Sequence, residues 1–516
     1  MDLPRRLFSG LCLAGALMPR SLLAAPERSV GRFDVRHFGA KGDGVAIDSP
    51  AFNAAIDEAA RLGGTVVVPA GRYLCFSIRL KSRLRLVFEP GATIVAADPA
   101  IHPGRYDLPE PASGLYQDFG HSHWRNSLIW GEDLEDVSIE GPGLIHGLGL
   151  TRDGPGARWK AQTGERPLSM QGMSEREIGE LEPAIAAMDG LGNKAIALKR
   201  GRNIRISGFT VLKGGHFAIL ATGTSALLIE NLTIDTDRDG IDLDCVRDTV
   251  VRNCKVNSPN DDGIVVKSSL ALGEPIAAEN VVIRDCAVSG YDMGTLVDGT
   301  RRKTQQFAPD RDRVTGRIKL GTESNGGYRN VVVKDCTFTH CRGLALETVD
   351  GGVMENVVAR RLTMRDVTTA PLFIRLGDRR RGPAETGVGA VRRVVLSEID
   401  ARGIDPRFPA AFAGIAEKPI ESIVMRDVHL VYGEAGKPHE HLPETAGEVP
   451  DLAGAYPEPS MFGVLPSWAL WVRHVERLTV DKFHAETLLA EKRVPIRLEN
   501  VAFPSFSRTP LRQNGN

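Results

Sequence analysis

Short bursts of alternating apolar and polar residues run through most of the chain. One phrase recurs: a polar residue, alternating Val/Ile, then Asn or Asp, then a small or apolar residue. It reads NIRISGF from Asn203, ALLIENL from Ala226, DTVVRNC from Asp248, NVVIRDC from Asn280 and NVVVKDC from Asn330. Weaker copies start at Asp136, Asn356, Arg392, Glu421 and Val475. The first spacings are 23 and 22 residues, then 32 and 50, so the period is about 22–25 with insertions between some copies. Alternation over five or six residues predicts short strands, and the Gly, Asn and Asp between them predict turns. No amphipathic helix recurs between copies, which weighs against a leucine-rich repeat and a βαβ fold. The pattern predicts an all-β chain, a right-handed parallel β-helix with long loop insertions, in which each coil stacks on the last. A β-sandwich with coincidental spacing is the alternative.

A solenoid changes the domain count. The 516 residues would suggest three or so domains on length alone, but one β-helix absorbs the mature chain, residues 26–516. Non-repeating stretches rich in Pro, Gly and charge near 100–185, 296–316 and 432–460 read as loops flanking a groove. Within the first, SEREIGELEPAIAAMDG from Ser174 reads as a short helix opened by a Ser-x-x-Glu cap-like phrase.

At the N-terminus, Arg5-Arg6 precede an apolar run from Leu7 to Met18, with Ala24-Ala25 following. This predicts a twin-arginine-like signal peptide over residues 1–25 and a periplasmic or secreted protein. Pro19 and Arg20 cut the run short of a membrane span, so no membrane anchor is expected in the mature protein. Balanced charge, 64 Lys+Arg against 65 Asp+Glu, argues against a nucleic-acid partner. Cys254, Cys286 and Cys336 close the phrases VRNC, IRDC and VKDC, which predicts a stacked internal column and not a disulfide framework. No CxxC pair supports zinc, and no metal or cofactor is expected.

The repeat also predicts a column of side chains. Adding 13 to the first residue of each phrase gives His216, Asp239, Asp261, Met293 beside Asp292, and Gly343 beside Arg342. Adjacent coils lie about 4.8 Å apart, so His216, Asp239, Asp261 with Asp262, and Asp292 are expected to line one strip. Stacked like charges are costly and predict at least one carboxyl with a raised pKa. A glycoside hydrolase has a use for such a pair, one protonated and one ionised. Solvated turn aspartates are the plainer explanation, though the adjacent Asp261-Asp262 before GIVVK makes it harder to hold.

The phrases Asp237-Arg238-Asp239-Gly240 and Asn260-Asp261-Asp262-Gly263, with Asp239 and Asp261 22 residues apart, resemble the polygalacturonase family, glycoside hydrolase family 28. The contexts IDLDCV and IVVKSS, and the opening from Phe33 to Leu74, resemble pectin-active β-helix proteins. The resemblance implies a pectic poly- or oligosaccharide substrate, inverting hydrolysis and no metal. It implies Asp261 as the general acid, with Asp239 and Asp262 holding and activating the attacking water. Three departures stand out. Asp237 and Arg238 replace the family's Asn and Thr. The Gly-His-Gly is missing: counting forward from Cys286 its His falls on Asp292, and counting back from Gly321-Thr322-Glu323 it falls on Gly316. The literal Arg317-Ile318-Lys319 sits one coil before the family's basic pair, where Arg342 is followed instead by Glu347. Arg317 and Lys319 therefore keep the carboxylate-binding role from a neighbouring coil, leave a subsite for another sugar faced by Glu347, or only pair with Glu323 or other acids of the chain. Asp292, His216 and Arg342 complete the candidate substrate-binding set.

His121, His123 and Trp124 are read either as a sugar-stacking group or as loop packing, and Arg379-Arg380-Arg381 as groove lining or a solvated turn. Tyr456-Pro457-Glu458 and Trp468 are candidates to wall off one end of the groove and favour attack on chain ends. Rival readings are a rhamnogalacturonan or other uronic-acid glycosidase, a pectate-lyase-like eliminase, and a non-catalytic carbohydrate-binding β-helix. The chain is read as a monomer.

Overall fold

The computed structural model describes residues 31–111, 116–156, 166–181, 184–433 and 448–513; the expected signal peptide lies outside them. Short strands pair in parallel along three faces. On one face Phe217–Thr222, Asp239–Asp244, Ile264–Ser268, Ile318–Ser324 and Leu344–Thr348 stack in that order. A second face stacks Ser225–Glu230, Arg247–Arg252 and Ala278–Arg284. A third stacks Thr233–Asp235, Lys255–Asn257 and Ala287–Ser289. The chain is a three-sided parallel β-helix.

The repeated phrase has a structural cause. Its first residue turns the corner onto the second face in the left-handed region: Asn203, Ala226, Asp248, Asn280, Asn330 and Asn356 have φ between 48° and 56°. Asparagine and aspartate tolerate that conformation best among residues with a side chain. Their amides then bond from coil to coil, Asn280 to Asp248 at 2.9 Å, Asn330 to Asn280 at 3.0 Å and Asn356 to Asn330 at 3.0 Å. Inside, Cys254, Cys286 and Cys336 are free and buried, in the column their positions just before the paired residues Lys255, Ala287 and Thr337 dictate.

The apolar face of the helix Ser49–Leu62 (Phe52, Ala55, Ile56 and Ala59) is buried against the first coil and covers the end of the core. It is the helix that a search for recurring elements misses, because it occurs once. A complete coil, Ile129–Glu132, Glu135–Glu140 and Leu144–His146, runs inside the 100–185 stretch and divides it into two loops. The short helix Glu175–Leu181 lies in the second, with Ser174 and Glu177 bonded reciprocally. No helix among the described residues is long and apolar enough to cross a membrane.

Candidate active site

Strand register sets the acidic cluster. Ile241 pairs with Ile264, which places Asp239 opposite Asp262. The sequence count placed Asp239 opposite Asp261. The slip arises in the turn Ser258–Gly263: Asp235 pairs with Asn257, 22 residues on, while Ile241 pairs 23 residues on. The extra residue pushes Asp261 outward. Asp239 is buried and does not line the pocket, whereas Asp261 and Asp262 do. One carboxylate oxygen from each of the three lies within 4.8 Å of the others. The backbone N–H of Asp262 donates to Asp239 Oδ1 at 3.2 Å and to Asp261 Oδ1 at 3.0 Å, tying the cluster together.

Each carboxylate has its own cation. Asp262 takes Arg317 Nε at 2.8 Å and Lys319 Nζ at 3.6 Å. Asp261 Oδ2 accepts from Arg238 Nη2 at 2.8 Å and Nε at 3.2 Å. Asp239 Oδ2 lies 3.7 Å from Lys267 Nζ, which also sits 2.9 Å from Asp242 and 2.8 Å from His121 Nε2. Burial and the neighbouring Asp261 push the Asp239 carboxyl well above the usual range, against Lys267. Burial also opposes charge on Asp261, but Arg238, backed by Lys267 and Lys319, outweighs it and holds that carboxyl well below the usual range. The carboxyl that is raised is thus Asp239, by burial first and by the neighbouring Asp261 second.

Other candidate residues fall into two groups. Arg317, Lys319, His216 and Arg342 line the pocket with Arg238, Asp261 and Asp262. Arg317 also pairs with Glu458 at 2.6 Å, and Arg342 with Asp310 at 2.9 Å and Glu458 at 3.1 Å. His216 Nδ1 is 2.8 Å from the carbonyl oxygen of Arg152. Asp292 and Glu347 are not in the pocket. Asp292 leaves the coil with the loop after Ser289 and accepts from Thr304 and Gln305, pinning that loop. Glu347, fully buried, lies under Lys319 at 3.3 Å, and burial pushes its carboxyl up to about 7 against Lys319 and Arg317.

The position opposite Asp262 on the following coil is Gly316, since Ile264 pairs with Ile318. Its φ is +67°, and a Cβ there would lie 2.1 Å from the Ser289 carbonyl oxygen. No side chain fits, histidine included, so the backward count is the one the fold obeys. Trp124 is buried with Nε1 bonded to Thr222 Oγ1 at 3.0 Å, and Trp468 is buried in the core against Tyr432; neither faces a sugar. His123 is likewise buried, its ring stacked on Phe119. Of the arginine run, Arg379 is buried on Asp350, Arg380 pairs with Asp378, and only Arg381 lines the pocket. Lys267, 3.7 Å from Asp239 and 3.7 Å from Glu323, is the candidate that sequence reasoning passed over. A lysine inside the otherwise apolar GIVVK strand was the available signal.

The pocket encloses about 260 Å³. All three predicted insertions reach it, through Arg152, Arg166 and Met170 from the first, Pro309 and Asp310 from the second, and Tyr456 and Glu458 from the third. Its volume lies just below the roughly 300–1,000 Å³ of sites for drug-sized ligands.

Residues 32–106 match the family model described as rhamnogalacturonase A/epimerase, pectate lyase-like, and residues 186–307 match the right-handed β-helix region. The chain is 25% identical to a probable polygalacturonase of Vitis vinifera, over 70% of this chain and 66% of that protein's length. It is 25% identical to an exopolygalacturonase of Arabidopsis thaliana, over 61% of this chain and 72% of that protein. In structure it resembles a hyperthermoactive exopolygalacturonase from Thermotoga maritima, with TM-score 0.58 at 20% identity, covering 84% of this chain and 92% of that one. It also resembles a family 28 exopolygalacturonase from Yersinia enterocolitica, with TM-score 0.59 at 15% identity, covering 91% and 78%. Related in sequence to polygalacturonases, the chain carries its aspartate cluster on the right-handed parallel β-helix they share.

Proposed function

We propose that the protein is a glycoside hydrolase of polygalacturonase type that removes short units from the ends of pectic chains, exported by its N-terminal leader to the periplasm or beyond. The single observation that carries this reading is the juxtaposition of Asp261 and Asp262, with Asp239 buried within 4.8 Å of them, and Arg238, Arg317 and Lys319 in a pocket lined by all three insertions. Pocket exposure supports Asp261 as the acid. In the step, the water oxygen bonds to the anomeric carbon as the glycosidic C–O bond breaks. Asp261 gives its proton to the leaving oxygen, and the proton of the water passes to the Asp262/Asp239 pair. One water is consumed and two free sugar ends result.

The carboxylate oxygens are closer than the roughly 6.5–9.5 Å separation usual for inverting glycosidases. The inverting outcome therefore rests on the resemblance to family 28.

Reducing-sugar release from polygalacturonan and from rhamnogalacturonan, with wild type and Asp261→Asn in parallel, tests the reading. Release from polygalacturonan that falls by about 10²-fold or more in the variant supports it. A product absorbing in the ultraviolet identifies an eliminase and overturns it. Release from rhamnogalacturonan alone moves the substrate to that polymer, and binding without turnover of polymer or oligosaccharide leaves a carbohydrate-binding protein.

A further inference from the structure

We propose that Arg238 reads the carboxylate of the incoming uronate and, by leaving Asp261 to do so, allows Asp261 to become the acid. The inference rests on the hydrolase reading above and assigns to Arg238 a role in choosing the substrate.

Three observations lead to it. The first concerns which cations are engaged. Arg317, Lys319 and Arg342 are almost fully buried, and each is held by two carboxylates of the protein. The Arg238 side chain keeps 26% of its surface exposed, and its acidic partner is Asp261, 28% exposed. An anion entering the pocket therefore meets Arg238 at lower desolvation cost than the buried basic residues.

The second is an unused donor. Arg238 Nη1 lies 3.1 Å from His216 Nδ1, but that nitrogen is 2.8 Å from the carbonyl oxygen of Arg152. A carbonyl only accepts, so Nδ1 carries the hydrogen and has no lone pair for Arg238. Burial and the Arg238 charge push His216 well below its usual pKa, which keeps the ring neutral. Among the described residues Arg238 thus bonds Asp261 through Nε and Nη2, has Asp118 as a further negative charge acting on it, and turns Nη1 to the His216 ring, which offers it no lone pair. A carboxylate suits it, since a guanidinium fork matches two oxygens.

The third is a conflict the pairing creates. A general acid must carry a proton, and a guanidinium at 2.8 Å opposes that. If Arg238 turns to a substrate carboxylate, burial and the adjacent Asp262 carboxylate are left opposing charge on Asp261, with the raised Asp239 carboxyl beside them, against the more distant Lys267 and Lys319. Burial and the Asp262 carboxylate favour protonation, and Asp261 takes a proton from solvent. A neutral sugar offers no partner for Arg238 and leaves Asp261 ionised. In this way selection for a charged sugar acts on the chemical step as well as on binding.

Two measurements test this. The first compares kcat/KM for trigalacturonate and its methyl ester in wild type, Arg238→Gln and Arg238→Lys, with circular dichroism to confirm folding. Wild type is expected to favour the acid by roughly 10- to 100-fold. Arg238→Gln is expected to bring that ratio to within about threefold, and Arg238→Lys to retain a preference for the acid. An unchanged ratio in Arg238→Gln over an active wild type overturns the inference alone. The second needs no variant: calorimetric binding of galacturonate to wild type, near pH 6 in buffers of different ionisation heat. Uptake of close to one proton per site with the acid and none with the methyl ester supports the switch; no uptake with the acid overturns it. A wild type inactive on both trisaccharides overturns the hydrolase reading and this inference together.

Discussion

Arg317 Nε lies 2.8 Å from Asp262 Oδ1, with both side chains almost wholly buried. The guanidinium spends its remaining donors on Glu458, 2.6 Å away. One arginine therefore couples the acidic cluster on the β-helix to the loop that closes the pocket. The literal Arg317-Ile318-Lys319 on the segment before its expected coil acquires a structural meaning: it neutralises Asp262 from the adjacent strand.

Arg317→Met should leave Asp262 and Glu458 buried with fewer cations. Removing one partner of a buried pair costs about 3–5 kcal/mol, so the variant should melt at markedly lower temperature or lower denaturant. Combining it with Glu458→Gln removes one orphaned charge and should recover part of the loss. Urea unfolding of both measures this. Equal stability of wild type and Arg317→Met would show that the pair holds nothing together.

Much of the fold could be read from the residues themselves. Asn280, Asn330 and Asn356 mark a corner because the left-handed conformation and the amide ladder both select asparagine. Asp261-Asp262 was visible because two adjacent acids before an apolar strand have no packing reason to be there. What stayed hidden depended on the third dimension. The one-residue slip at Ser258–Gly263 changes the register without leaving a mark in the composition. Trp124 reads as a sugar platform and Trp468 as an end wall, and only their burial, one bonded to Thr222 and the other packed on Tyr432, shows otherwise. Asp292 and Glu347 sit where counting put them along the chain, but one leaves with a loop and the other lies beneath Lys319.

Gly316 makes a second prediction. Gly316→Ala should destabilise the protein by about 2–4 kcal/mol, because the left-handed backbone and the contact with the Ser289 carbonyl both oppose a Cβ. Gly316→His, which restores the family's residue type, should lower stability further and not raise activity. A stable, more active Gly316→His would mean that the coil after Asp262 is seated differently.

Glu347 gives stability a pH dependence. Its folded carboxyl, at about 7, is above its ordinary value of 4.5. A raised carboxyl binds a proton more tightly in the folded than in the unfolded state. Its contribution is therefore fully present below about 4.5, falls as pH rises to about 7, and is flat beyond. Glu347→Gln does not titrate, so the stability of the variant relative to wild type should rise across that window. Urea unfolding at pH 4.5, 6 and 8 would show it, and parallel curves for the two proteins would refute it.

The pocket geometry predicts the product pattern. Tyr456 and Glu458, with Arg166 and Met170, line the pocket that holds Asp261 and Asp262. Tyr456 is fixed by Thr322 Oγ1 at 3.1 Å and lies under Lys319, 5.5 Å from the ring centre. Tyr456 and Glu458 are expected to act as a wall that keeps a pectic chain from running across Asp261. Early in digestion of polygalacturonan, products should be one or two residues long while the viscosity of the polymer changes little. Tyr456→Ala opens the wall and should shift early products toward longer oligomers, with a lower rate because Lys319 loses its cover. Chromatography of early products, together with viscometry, distinguishes the outcomes. A rapid fall in viscosity with wild type would mean that chains cross the pocket and that Tyr456 and Glu458 line a through-going groove.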